Sequence, residues 1–127
     1  MKPKVLLVED DIALQETFKE YLEEKYQVVM ANTGMIAAQI LKDGGFSIIL
    51  VDLGLPDMSG MNVIKLAAKS YKDSAVLALT GDRTSKSVQE AITLGVDDYL
   101  VKPIDSDHLH NRIEKVFLKK KAASDPF

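Results

Sequence analysis

Five short apolar, β-branched runs recur along this sequence, and each is followed by a stretch with helical periodicity. That alternation restricts the fold more than any other feature. It predicts strands near Lys4–Val8, Gln27–Ala31, Ser47–Val51, Ala75–Leu79 and Tyr99–Val101. The third contains Ile48-Ile49-Leu50-Val51 with no polar alternation, the pattern of a strand covered on both faces. Between the runs, Leu14, Phe18 and Leu22 recur at i, i+4 and i+8, as one face of a helix does. Ile36, Ile40 and Leu41 mark a second helix, and Val63, Ile64, Ala67 and Ala68 a third. Val88, Ala91 and Ile92 mark a fourth, and Leu109, Ile113, Val116 and Phe117 a fifth. Gly44-Gly45 and Gly95 fall where helix C-termini are expected, and Asp105 is a candidate N-cap for the last helix. Strand then helix, five times over, implies a parallel sheet with right-handed crossovers, a doubly wound α/β domain.

The chain has 127 residues, 46% hydrophobic and 28% charged, enough for one domain with a real core and no case for disorder. Residues 1–121 are expected to form that domain, and 122–127 a tail or the start of a linker; the run from Lys119 onward is expected to fray. Net charge is −3, which gives no support for direct nucleic-acid binding. The absence of cysteine excludes a disulfide framework, a thiolate metal site and a cysteine nucleophile. The apolar run near the N-terminus is too short for a signal peptide, and no segment approaches membrane-spanning length. A cytoplasmic location follows as the default.

In a doubly wound sheet, ligands bind beyond the carboxyl ends of the strands. The first strand ends in Glu9-Asp10-Asp11, the third in Asp52, the fourth in Thr80 and the fifth in Lys102-Pro103. If the strand order is 2-1-3-4-5, strands 1 and 3 are neighbours roughly 4.8 Å apart, which would bring Asp10 and Asp52 together. Carboxylates that near repel unless one is protonated or a cation lies between them. An oxygen-only donor set suits a hard divalent ion, Mg²⁺ above all. Carboxylate, hydroxyl, ammonium and Mg²⁺ are the equipment of phosphoryl transfer, with the carboxylate as nucleophile.

These motifs resemble the receiver domain of two-component response regulators. The stretches that carry the resemblance are "VEDD", "DLGLPDMSG", "LALTG" and "GVDDYLVKP", and the match spans nearly the whole chain. The resemblance implies a flavodoxin-like fold, five parallel strands in order 2-1-3-4-5 flanked by five helices. It implies that Asp52 is phosphorylated by a histidine kinase, a histidine phosphotransfer protein or a small acyl phosphate. Asp10, Asp52 and the backbone carbonyl of Gly54 would bind Mg²⁺ directly, and Glu9 through water. Thr80 and Lys102 would hold phosphoryl oxygens, and Tyr99 would be the aromatic switch residue. A cis Lys102–Pro103 bond is expected, and the surface of helix 4, strand 5 and helix 5 would control an output domain or partner, with a phosphorylation-dependent dimer open. Gly54 and Asp82 occupy the two positions that tune phosphoryl lifetime in this family.

Other residues have plainer readings. Asp11 suits a helix N-terminus, His108 and His110 read as surface residues, and Asp97-Asp98 as a solvated turn or partner surface. Two alternatives stay open at this point. One is a degenerate receiver that serves only as a docking module. The other is a Mg²⁺-dependent phosphatase with an Asp nucleophile, of the haloacid-dehalogenase type; that class resembles D-x-D, and this chain has Gly54 at the second acid.

Overall fold

The computed structural model describes residues 2–55, 57, 60–81 and 86–124; Pro56 and Asp82 lie outside them. The elements are β1 (Lys4–Val8), α1 (Ile12–Leu22), β2 (Gln27–Ala31), α2 (Gly34–Leu41), β3 (Phe46–Asp52), α3 (Gly60–Ser70), β4 (Ala75–Thr80), α4 (Lys86–Thr93), β5 (Asp98–Val101) and α5 (Ser106–Ser124). All strand pairs are parallel, in the order β2-β1-β3-β4-β5.

Strand alternation divides the core in two. Leu6, Val8, Ile49, Val51, Val76 and Ala78 meet Ala37 and Leu41 of α2, Val63, Ile64 and Ala67 of α3, and Ala91 of α4. Val5, Leu7, Ile48, Leu50, Leu77, Leu79 and Leu100 face Phe18 and Leu22 of α1 and Leu109, Ile113 and Val116 of α5. Ile48, Ile49, Leu50 and Val51 have no exposed surface at all, so the unbroken apolar run reflects helices on both sides of β3. Each such side chain contributes roughly 1.5–3 kcal/mol by leaving water.

Local signals set the boundaries. Asp11 accepts a hydrogen bond from the Leu14 N–H (3.2 Å), Thr33 from Ile36 (3.1 Å) and Asp105 from His108 (2.8 Å), so each caps a helix start. Gly44, Gly45 and Gly95 take φ of 72°, 83° and 103°, left-handed backbone that other residues rarely adopt. One expectation changes. The stretch Lys119–Ser124, expected to fray, is helical and completes α5, because lysine and alanine are good helix formers.

Gly60 opens α3 against the end of β3. A β-carbon placed there would lie 2.8 Å from the Asp52 carbonyl oxygen. Helix propensity alone would favour alanine by up to ~1 kcal/mol. The contact reverses that sign: Gly60→Ala is expected to destabilise by roughly 1–3 kcal/mol, read as a lower urea midpoint with an unchanged slope. Equal or greater stability would show that α3 yields at this point.

Candidate functional site: an acidic pocket at the sheet's carboxyl edge

Register brings the polar strand ends together. Val8 pairs with Val51, so Glu9, one residue beyond β1, falls beside Asp52, the last residue of β3. Glu9 stays on the ladder through its N–H, which donates to the Ala31 carbonyl (3.0 Å). Glu9 is fully buried and Asp52 is 5% exposed, while Asp10 faces solvent. One carboxylate oxygen from each of the three lies within 4.8 Å of the others. Lys102, just past β5, donates from Nζ to Glu9 Oε1 at 2.8 Å and stands 3.3 Å from Asp52 Oδ2. The Gly54 N–H holds Asp52 Oδ1 at 2.9 Å, and the Asp11 N–H holds Glu9 Oε2 at 3.3 Å.

Thr80 ends β4, buried, and its carbonyl accepts the Lys102 N–H at 2.7 Å. That bond fixes the backbone from which the lysine reaches. The Lys102–Pro103 peptide is cis. Tyr99 lies three residues earlier on β5, half-buried against the layer that holds α2, α3 and α4. The residues singled out in the sequence thus fall at one edge of the sheet. Glu9, Asp10, Asp52 and Lys102 converge, Gly54 touches Asp52 through its N–H, and Thr80 sits at the adjacent strand end.

Electrostatics follow from that crowding. Burial pushes the Glu9 carboxyl up to about 7; the Lys102 hydrogen bond opposes the rise, and the hydrogen bond and charge of Asp52 add to it. Burial alone would lower the Lys102 ammonium. Its hydrogen bond to Glu9 and the charges of Asp52 and Glu9 outweigh burial and hold it above the ordinary lysine value. One ammonium among three carboxylates leaves surplus negative charge. An oxygen-only cluster with surplus negative charge fits a hard divalent cation, and Mg²⁺ is the ion typical of this kind of site.

Two groups, Asp98 and His110, differ from their sequence reading. Asp98 receives both Nε and Nη2 of Arg112, at 2.7 and 2.6 Å, across β5 and α5. Asp97 accepts the Val76 N–H at 2.8 Å and pairs with Lys120 at 3.2 Å. Asp98 is the first residue of β5 and not part of a turn, and it shares its strand face with Leu100; Asp97 sits in the exposed bend before it, in keeping with the turn reading. His110, expected at the surface, is half-buried. Its Nε2 donates to the Tyr21 carbonyl at 2.5 Å, its ring stacks on Tyr26, and its buried Nδ1 has no partner among the described residues. His108 is exposed beside Asp105, as read. Gln15, whose side-chain amide bonds the Glu9 carbonyl, was not singled out from the sequence; its position four residues after the Asp11 cap was the available signal.

Comparison with known proteins decides the family. The model of the response regulator receiver domain matches residues 5–114. This chain belongs to that family. Its curated relatives include the transcriptional regulatory protein CrdR of Helicobacter pylori, 34% identical over 92% of this chain and 56% of that protein. Another is the transcriptional regulatory protein BasR of Escherichia coli, 36% identical over 87% of this chain and 50% of that protein. The chain therefore spans about half the length of the curated relatives it matches. Among solved structures, a CheY-like receiver domain protein from Methanospirillum hungatei superimposes with a TM-score of 0.91 at 26% identity, covering 98% of this chain and all of that one.

The receiver family works in two-component signalling, typically as a non-enzymatic phosphoacceptor partnered by a histidine kinase. Among the described residues, no helix of this receiver is long and apolar enough to cross a membrane.

The Glu9 environment sets a pH dependence. A carboxyl raised on folding favours the fold while it is protonated, and that contribution is lost as pH climbs from about 4.5 through about 7. In a chelator, the native protein is expected to lose stability across that window. Glu9→Gln should not, and should exceed it by roughly 1–3 kcal/mol on the alkaline side. Parallel pH profiles of chemical unfolding for the two proteins would contradict this origin.

Proposed function

We propose that this receiver is a phosphorylation-controlled switch whose acceptor is Asp52. The observation that carries the reading is the Lys102 ammonium lying between Glu9 and Asp52, with Asp10 completing a three-carboxylate cluster. Asp52 follows the fully buried run Ile48–Val51, which gives its carboxylate a rigid platform from which to attack phosphorus. The donor is the phosphohistidine of a histidine kinase or histidine phosphotransfer protein, or a small acyl phosphate. A bond forms between an Asp52 oxygen and phosphorus and the bond from phosphorus to the donor breaks; phosphohistidine leaves as an imidazole that takes up a proton, and an acyl phosphate leaves as a carboxylate.

Asp10, Asp52 and the Gly54 carbonyl would hold Mg²⁺, with Glu9 acting through water. The ion, when bound, supplies positive charge beside the transferring group. Lys102 exchanges its carboxylate partners for a phosphoryl oxygen, and the Thr80 hydroxyl donates to another. Thr80 moves toward the phosphoryl group, and Tyr99 takes up the space this leaves. The α4–β5–α5 surface then changes its preference for an output domain or partner, a second copy of the chain included.

Intact-mass spectrometry after incubation with acetyl phosphate tests the chemistry. The expected result is a Mg²⁺-dependent phosphoryl adduct on the native chain and none on Asp52→Asn. Equal labelling of Asp52→Asn would overturn the acceptor assignment. Turnover of a simple phosphate monoester would favour the Asp-nucleophile phosphatase instead. Neither adduct nor Mg²⁺ binding would leave a docking module.

A further inference from the structure

We propose that Gln15 is a positioning residue for Asp10, an inference that rests on the Mg²⁺-dependent reading above. β1 ends at Val8 and α1 begins at Ile12, so the chain leaves the sheet and enters a helix within Glu9-Asp10-Asp11. Two carbonyls bracket that turn, and Gln15 is bonded to both. Its backbone N–H donates to the Asp11 carbonyl at 2.9 Å, and its side-chain Nε2 donates to the Glu9 carbonyl.

The Glu9 carbonyl belongs to the planar peptide unit that joins Glu9 to Asp10. Fixing that oxygen fixes the plane, and with it the direction in which the Asp10 Cα and side chain leave the backbone. The two neighbouring carboxylates have side-chain restraints of their own: Lys102 and Asp11 on Glu9, Lys102 and Gly54 on Asp52. Asp10 has none. It is exposed, and its carboxylate makes no hydrogen bond or ion pair among the described residues, although it lies within ligand distance of the other two. Its placement therefore depends on its backbone: Gln15 holds the peptide unit before Asp10, and Glu9 Oε2, through the Asp11 N–H, holds the one after it.

Ion selectivity separates this role from simple satisfaction of a carbonyl. Mg²⁺ demands near-octahedral geometry at short distances, whereas Ca²⁺ accepts irregular and variable coordination. Loosening Asp10 should thus penalise Mg²⁺ more than Ca²⁺. A merely structural loss would lower the melting temperature of the metal-free protein or weaken both ions alike.

Two variants remove the contact in different ways. Gln15→Met keeps length and helix propensity but has no donor, and Gln15→Asn keeps the amide but falls one methylene short. Metal-free native protein and both variants are titrated calorimetrically with Mg²⁺ and, separately, with Ca²⁺, and their melting is compared in chelator. The expected result is Mg²⁺ affinity weakened about 5- to 10-fold in each variant. Ca²⁺ affinity should change by about 2-fold or less, with little change in metal-free melting. Unchanged Mg²⁺ affinity in a folded variant, or equal loss for the two ions, would overturn the role of Gln15 and leave the proposed function standing. Native protein that fails to bind Mg²⁺ would overturn the proposed function and this inference together.

Discussion

Three carboxylates at one end of a sheet need a cation among them, and the site depends on how that need is met. Two like charges about 4 Å apart repel by roughly 4 kcal/mol at the effective dielectric of a protein surface. Glu9 and Asp52 are buried, so water does little to relieve them. Lys102 does, by bonding one and lying beside the other. The relief is incomplete. Burial and Asp52 still lift Glu9 toward neutrality, so the pocket without its metal keeps an appetite for positive charge. An arrangement that is costly alone is relieved by a bound cation, whereas a phosphoryl group on Asp52 would add negative charge for that cation and Lys102 to offset.

The sheet can bear that cost because the cost is confined to its rim. Ile48 to Val51 are sealed between two helical layers, and so are Leu6, Leu7, Leu77 and Leu79 beside them. Several side chains worth ~2 kcal/mol each hold the strand directions fixed. Asp52 cannot retreat from Glu9 without dragging β3 out of register. Gly60 tightens this further, since α3 starts against the Asp52 carbonyl and leaves no room for a β-carbon.

Much of this was legible in the sequence. The bounds of β1 and β2 match the apolar runs residue for residue; the alternation implied a parallel sheet, while its order, 2-1-3-4-5, came from the family resemblance and is the order found. Charged or hydroxyl residues closing four of the five runs pointed to the carboxyl edge. Strands β3 and β4 extend one residue further than the apolar pattern, to Asp52 and Thr80, because backbone pairing continues where hydrophobicity stops. What pattern could not supply was partner choice. Lys102 and Glu9 are 93 residues apart, and only the folded sheet shows that the ammonium reaches past Asp52 to a second acid. Asp98–Arg112 and the Tyr21–His110 contact were hidden for the same reason: each joins elements whose facing is set by the whole fold.

Because its Nζ bonds Glu9 and lies beside Asp52, the Lys102 ammonium would compete with a divalent metal for the same carboxylates. Calorimetric Mg²⁺ titration of Lys102→Met beside the native protein, above the Glu9 midpoint so that the acids are ionised, tests it directly. Competition predicts that the variant binds Mg²⁺ several-fold more tightly, because a positive charge has been taken from the pocket. Equal or weaker binding in a folded variant would contradict it, and would mean that the lysine builds the metal site instead of contending for it.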